Sequence, residues 1–312
     1  MIGIFDSGSG GLSVLKEIVK ALPLADIVYY SDNANCPYGD KPISFVRDRA
    51  DSITKELVAE GADIIVIACN TATSAAVAWL REKYSTPRTP ENKRIVLEMT
   101  MGRHDHIRFI GMEPAVKPAA LDTRSGVIGV LATAGTLKGS KYLSIKDKYD
   151  RNVKVVEHVG KGFVELVESC ELSGPHVESV VSASLSPLLE AGADTVVLGC
   201  THYPFLLPVM RKIAGPQVRF IDPAPAVAAR LKNVMAEENI SEEDGNYTLK
   251  DNEHQVLGMI NGYPTLGMDN GRQSSSSIVG YRASDKVLLR SSGDPASMIR
   301  LYDYAVAQSQ DR

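Results

Sequence analysis

One stretch of this chain occurs twice. Gly61-Ala62-Asp63-Ile64-Ile65-Val66-Ile67-Ala68-Cys69-Asn70-Thr71 returns as Gly192-Ala193-Asp194-Thr195-Val196-Val197-Leu198-Gly199-Cys200-Thr201-His202. Each copy reads as a helix-ending glycine, a buried strand and a cysteine at the strand's C-terminal tip. A weaker echo sets Ile2-Gly3-Ile4-Phe5-Asp6-Ser7-Gly8 beside Ile128-Gly129-Val130-Leu131-Ala132-Thr133-Ala134 at a similar offset. A repeat spaced roughly 130 residues apart is too long for a solenoid unit, so it points to two duplicated domains. A chain of 312 residues has room for two such domains with cores of their own.

The remaining pattern gives the class of those domains. Ile2–Phe5, Ile27–Tyr30 and Ile64–Ala68 are short apolar runs, and helical spacing follows each. Leu12, Leu15, Ile18, Val19 and Leu22 mark one helix up to Pro23. Ile43–Glu60, ended by Gly61, and Ala72–Tyr84 mark two more. Strand–helix alternation predicts an α/β fold: two pseudo-symmetric domains, each a mostly parallel sheet flanked by helices. Ligands of open parallel sheets bind beyond the carboxyl ends of the strands, which places both cysteines at an inter-domain cleft.

Lys and Arg number 34 against 38 Asp and Glu, with no basic stripe, so neither nucleic acid nor an anionic membrane is the expected partner. The N-terminus lacks the basic and apolar regions of a signal peptide, and no apolar run is long enough to span a bilayer. Four scattered cysteines without a CxxC spacing read as free thiols, and the chain is expected in the cytoplasm.

A lone buried cysteine is usually packing, and Cys36 and Cys170 are read that way. Cys69 and Cys200 differ because they stand at matching points of the repeat. Asn70 or Thr71 is expected to cap the helix after Cys69, and Thr201-His202-Tyr203-Pro204 leads into an apolar helix after Cys200. A thiol beside a helix N-terminus sees positive potential, which favours thiolate. Two thiols facing one ligand suit inversion of a stereocentre, which needs a base on one face of a carbon and an acid on the other.

Other residues converge on the same crevice. Asp6-Ser7-Gly8-Ser9-Gly10-Gly11 opens a helix and offers N–H groups and Ser7 to a carboxylate or phosphate, without the spacing of a dinucleotide or Walker motif. Asp6 is either a cap or a carboxylate tuning Cys69. Asn35–Gly39 reads as a turn that either is plain or closes over a ligand. His202 is near enough to Cys200 to relay protons. Cys200 with His202 lacks the further ligands a metal needs, so no metal is expected. The stretch around His104-Asp105-His106 reads as a solvated loop.

The runs IGIFDSGSGGLSVL (2–15), DNANCPYGDK (32–41), ACNTAT (68–73), GVLATAGTLKGSKY (129–142), LGCTHYPF (198–205) and SSGDP (291–295) resemble bacterial glutamate racemases. That resemblance implies that Cys69 takes the α-proton from D-glutamate and Cys200 takes it from L-glutamate. It implies that Asp6 assists Cys69 and His202 assists Cys200, and that Ser7, Pro37, Tyr38, Gly39, Asn70, Thr71, Thr133, Thr136 and Thr201 hold the substrate. Glu168 in FVELVE is similar to a family glutamate near the second thiol, although Gly160-Lys161-Gly162 stands where the family usually has Cys-Pro. The resemblance further implies a cofactor-free homodimer supplying D-glutamate for peptidoglycan. It implies a first domain of residues 1–112 plus 222–312 and a second of 113–221.

Two stretches, about Ser85–Phe109 and Asn246–Ser284, are longer than the family pattern, and the second is expected to be a surface excursion including Ser274–Ser277. Aspartate is the main rival substrate, because pocket depth cannot be read from sequence. A non-catalytic binder of an acidic metabolite and a thiol hydrolase each leave one cysteine or both unexplained.

Overall fold

The computed structural model describes residues 1–86, 89–149, 152–238, 240, 256–260, 263–267, 279–284 and 286–310. Its strands are β1 (Ile2–Asp6), β2 (Ile27–Ser31), β3 (Ile64–Ile67), β4 (Arg108–Gly111), β5 (Val127–Ala132), β6 (Lys154–Val159), β7 (Thr195–Gly199), β8 (Arg219–Ile221), β9 (Val256–Ile260), β10 (Tyr263–Gly267), β11 (Val279–Arg282) and β12 (Val287–Ser291). One sheet runs β4-β3-β1-β2-β12-β11-β10-β9 and the other runs β6-β5-β7-β8. The pairings β4-β3-β1-β2-β12 are parallel, as is the whole second sheet, and β11, β10 and β9 add on antiparallel.

The duplication is visible in the strand order. Matching β1 to β5, β2 to β6, β3 to β7 and β4 to β8 superimposes β4-β3-β1-β2 on β8-β7-β5-β6. The apolar runs are continuous because both sheet faces are covered. Ile4, Tyr29 and Val66 pack on one side of the first sheet, and Phe5, Val28, Ile65 and Ile67 pack on the other. The first of these clusters is shared between the sheets: it runs from Leu12, Leu15 and Ile18 through Ala224 and Leu231 to Val181 and Leu198. Each fully buried aliphatic side chain there contributes about 1.5–3 kcal/mol.

Helix and strand ends shift where side chains intervene. β1 extends one residue to Asp6, which pairs with Ser31. The helix after β3 begins at Asn70, earlier than its apolar pattern suggests, and after Leu80 gives way to a wider turn at Arg81–Ser85. Its cap is neither Asn70 nor Thr71: the Cys69 sulfur itself accepts the Ala72 N–H at 3.4 Å. The helix expected over Ile43–Glu60 spans Ile43–Ala59, with Gly61 at φ 108° turning the chain into β3.

The chain passes from the first sheet to the second after Gly111. There Thr73 Oγ1 accepts the Met112 N–H at 3.0 Å, and a side chain at Gly111 would meet Thr73 at 2.6 Å. The crossing is thereby fixed to the helix Asn70–Leu80 that Cys69 caps. On its return the chain forms the helix Ala224–Glu237, which packs against Leu12–Ala21.

His104 is more than a loop residue: its ring pairs with Asp63 at 2.8 Å, and Asp63 also holds Arg103 and the N-terminal amine. Within Ser85–Phe109, the helix Pro90–Met99 packs on Ile43–Ala59, and none of its residues lines the cleft described below. Of the longer stretch 246–284, β9, β10 and β11 extend the first sheet, while Ser274–Ser277 lie outside the described residues. Among the described residues no helix is long and apolar enough to cross a membrane.

Candidate active site

The tips of β3 and β7 bring Cys69 and Cys200 to the wall of one cleft of about 290 Å³. Ser7, Pro37, Tyr38, Gly39, Asn70, Thr71, Thr133, Thr136, Thr201 and His202 line the same cleft. Asp6 stands directly behind that wall, fully buried, and Glu168 stands behind His202. Val164 and Gly199 also line it and were not anticipated. Gly199 adjoins Cys200 and was within reach of the motif. Val164, one apolar residue on the short helix Phe163–Glu168, gave no signal of its own.

The two halves touch across the cleft through polar pairs. Thr71 and Thr133 hydroxyls are 3.1 Å apart, and within the second half Thr133 is 3.0 Å from the Thr136 hydroxyl. Thr201 donates to Asp6 at 3.0 Å, and Ser9 donates through backbone and hydroxyl to Glu168 at 2.6 and 2.9 Å. Gly135 approaches so closely that a side chain there would meet the Gly39 carbonyl at 2.9 Å.

The glycine-rich turn behaves differently from its sequence expectation. Asp6 accepts the N–H groups of Ser7 at 2.6 Å and Gly11 at 2.5 Å, and Glu168 takes that of Ser9. These donors hold the protein's own carboxylates instead of reaching for a bound anion. One amide does remain open. Both polar atoms of Asn70 are buried without a partner, and the residue is only 4% exposed on the cleft wall. Such a group costs about 1–3 kcal/mol unless something satisfies it, and buried polar atoms are almost always satisfied.

The two thiols have different companions. Cys69 donates toward Ser7 Oγ at 3.7 Å, with Asp6 beyond it. Burial pushes the Cys69 thiol well up and the Asp6 charge adds to this, outweighing the Ala72 N–H that pulls it down. The helix N-terminus thus acts in the expected direction but does not win, and Cys69 is held as the thiol. Burial likewise raises Asp6, against the pull of His202, the Cys69 thiol, the Ser7 N–H and Thr201.

Cys200 has no α-helix start beside it, because a 3₁₀ turn, Tyr203–Leu206, intervenes before Leu207–Ala214. Its companion is His202, whose Nδ1 is 3.6 Å from the Cys200 sulfur and whose Nε2 is 2.7 Å from Glu168 Oε1. Burial alone would lower the imidazole, but Cys200, Cys36 and Glu168 outweigh it and raise His202 well above its usual range. Glu168 is lowered despite its burial, chiefly by His202. The pair is imidazolium and carboxylate.

Two features were missed in the sequence. Cys36, read as packing, lies 4.0 Å from Glu168 Oε1 and beside His202. Arg49 grips the buried Asp32 with two hydrogen bonds of 2.9 and 2.8 Å, and Tyr38 donates to the same carboxylate at 2.6 Å. This clamp fixes the loop carrying Pro37, Tyr38 and Gly39 over the cleft.

Residues 102–231 match the family model described as Asp/Glu/Hydantoin racemase. A glutamate racemase of Ectopseudomonas mendocina is 43% identical over 239 residues, covering 77% of this chain and 83% of that one. Among solved structures, Escherichia coli glutamate racemase in complex with L-glutamate and activator UDP-MurNAc-ala is similar at TM-score 0.64. It has 31% identity and covers 75% of this chain and 82% of that one. The Francisella tularensis glutamate racemase in complex with D-glutamate is similar at TM-score 0.59, with 30% identity over 77% of this chain and 82% of that one.

Proposed function

The chain belongs to the glutamate racemase family of amino-acid racemases, and from that premise we propose that it interconverts L- and D-glutamate without a cofactor, by proton transfer on both faces of the α-carbon. The observation that carries this reading is the shared cleft: Cys69 and Cys200 come from equivalent strand tips of a duplicated sheet and line one small polar site.

In the L-to-D direction, Cys200 as thiolate removes the α-proton and Cys69 as thiol supplies one to the opposite face. The reverse direction exchanges the roles. His202, an imidazolium 3.6 Å from Cys200, can give a proton to the Cys200 thiolate and take it back as neutral imidazole, with Glu168 holding the ring in orientation. Asp6, linked to Cys69 through Ser7, serves the other side. The open Asn70 amide and the hydroxyls of Thr71, Thr133, Thr136 and Thr201 meet the substrate's carboxylates and ammonium, with Ser7, Pro37, Tyr38 and Gly39 completing the wall. A bound ammonium also lowers the cost of a thiolate at Cys69.

The domains on this reading are residues 1–112 plus 222–312 and residues 113–221. The cleft lies between them, the chain acts in the cytoplasm as a homodimer, and D-glutamate is used for peptidoglycan. The test is to incubate the purified chain with L-glutamate and, separately, L-aspartate, adding no cofactor, and to follow optical rotation. Loss of rotation with glutamate alone is the expected result. Loss with aspartate alone moves the substrate, and no change with either contradicts racemisation.

A further inference from the structure

Cys36 has no part in the proton transfers above, yet it is not idle packing. Its sulfur, Glu168 Oε1 and the His202 ring nitrogen all lie within 4.8 Å of one another. The three supply a thiolate, a carboxylate and an imidazole, the donor set of zinc and similar divalent cations. We propose that Cys36, Glu168 and His202 form a site for one such cation, which takes His202 away from Cys200 when it binds.

The geometry requires little movement. At ordinary zinc–ligand lengths, tetrahedral donors lie about 3.4–3.6 Å apart. The Glu168–His202 separation of 2.7 Å must open and the Cys36–Glu168 separation of 4.0 Å must close, each by less than about 1 Å. The surrounding groups already orient the ligands. Ser9 holds both Glu168 oxygens, at 2.6 and 2.9 Å. The opposite ring nitrogen of His202 faces Cys200, so Nε2 is the one turned to the site. Outer contacts of this kind are what fix ligands at metal sites. Gly8 makes the approach possible, because a side chain there would meet Glu168 at 2.3 Å and Cys36 at 2.8 Å. Cys36 and Glu168 are half-buried, which leaves a way in and a fourth position for water.

Binding replaces the Cys36 thiol proton and the His202 Nε2 proton, both of which pass to the solvent. With Nε2 on the cation, the ring keeps its proton on Nδ1 and has no second nitrogen to protonate. It can no longer cycle a proton with Cys200. This loss of turnover rests on the racemase reading; binding itself does not.

The test titrates the full chain with cobalt(II), then zinc(II), under a non-thiol reductant. One equivalent of cobalt is expected, with thiolate-to-cobalt charge-transfer absorption that zinc displaces. Cys36→Ser should abolish the absorption and weaken zinc binding at least ~10-fold. Glu168→Gln should weaken zinc binding by a similar factor while circular dichroism confirms folding, and Cys69→Ser should change neither property. Racemisation by the wild-type chain should fall in step with occupancy, and Cys36→Ser should need more zinc for the same fall. Absorption that persists in Cys36→Ser, or vanishes in Cys69→Ser, overturns the site. Full turnover at saturating cation overturns its effect on His202. Absence of racemisation before any cation is added counts against the racemase reading alone, since the absorption still reports on the site.

Discussion

At the scale of single residues, the site depends on unequal treatment of two chemically identical thiols. Burial and Asp6 keep Cys69 protonated, while Cys200 faces an imidazolium. One cysteine is thus held as an acid and the other is placed beside a cation that can share a proton with it, as two-sided transfer requires. Replacing either sulfur by oxygen puts a far weaker acid at that face. Cys69→Ser and Cys200→Ser should each cut kcat by about 10²–10⁴-fold, measured by optical rotation. Asn70 gives an independent check. Its amide is buried and unpaired, so Asn70→Ala removes a desolvation cost as well as a few contacts. The melting temperature of the ligand-free variant should match or exceed that of the parent, while KM rises about tenfold or more. A clear drop in melting temperature with unchanged KM would assign Asn70 to structure.

The residues legible in the sequence were those at strand tips, because a strand tip follows from periodicity and the tips of a parallel sheet share one edge. Cys69, Cys200 and Ser7 were read this way, whereas Thr133 came with the family resemblance. What periodicity cannot show is a partner brought in by tertiary packing. Asp32 and Arg49 are close neighbours only because the loop after β2 folds onto the helix Ile43–Ala59, and Cys36 meets Glu168 only across the cleft. The depressed thiol expected at Cys69 failed for a related reason: the helix terminus was visible, but the depth of burial was not.

At the scale of elements, loops carry the chemistry and strands set its geometry. The turn after β1 spends its N–H groups on Asp6 and Glu168, tying the first sheet to the helix Phe163–Glu168 of the second. The turn needs glycine at position 10, since any side chain would run into the His202 ring at 2.4 Å. The Arg49–Asp32–Tyr38 clamp holds the facing loop. Arg49→Ala leaves Asp32 charged, buried and short of a partner, and should cost about 3 kcal/mol of stability by urea denaturation, together with a higher KM.

The Glu168–His202 pair makes stability depend on pH in a stated sense. Glu168 is lowered, so its contribution is present above the usual glutamate pKa of about 4.3 and fades as pH falls through its folded value. His202 is raised, so its contribution is full below about 6.5 and fades as pH rises through its folded value. The stability difference between wild type and Glu168→Gln should therefore be greatest between these limits and shrink toward alkaline pH. A difference that stays level into alkaline pH would mean that the pairing does not depend on a charged His202.

At the scale of the whole molecule, duplication explains why a symmetric reaction is within reach. Two copies of a β-α unit, joined at Gly111 and packed around one shared core, set equivalent strand tips face to face. The symmetry lies in the backbone, while the side chains behind the thiols have diverged to Asp6 on one side and His202 with Glu168 on the other. The added strands β9 to β11 lie beyond β12, at the far edge of the first sheet. The most direct measurement is racemisation of L-glutamate in deuterated water at early times, with mass and configuration of the α-carbon read together. Deuterium confined to newly formed D-glutamate, while unreacted L-glutamate keeps its proton, is the result expected of two thiols acting from opposite faces. Equal deuterium in both enantiomers from the start would mean one exchanging base and would contradict the account.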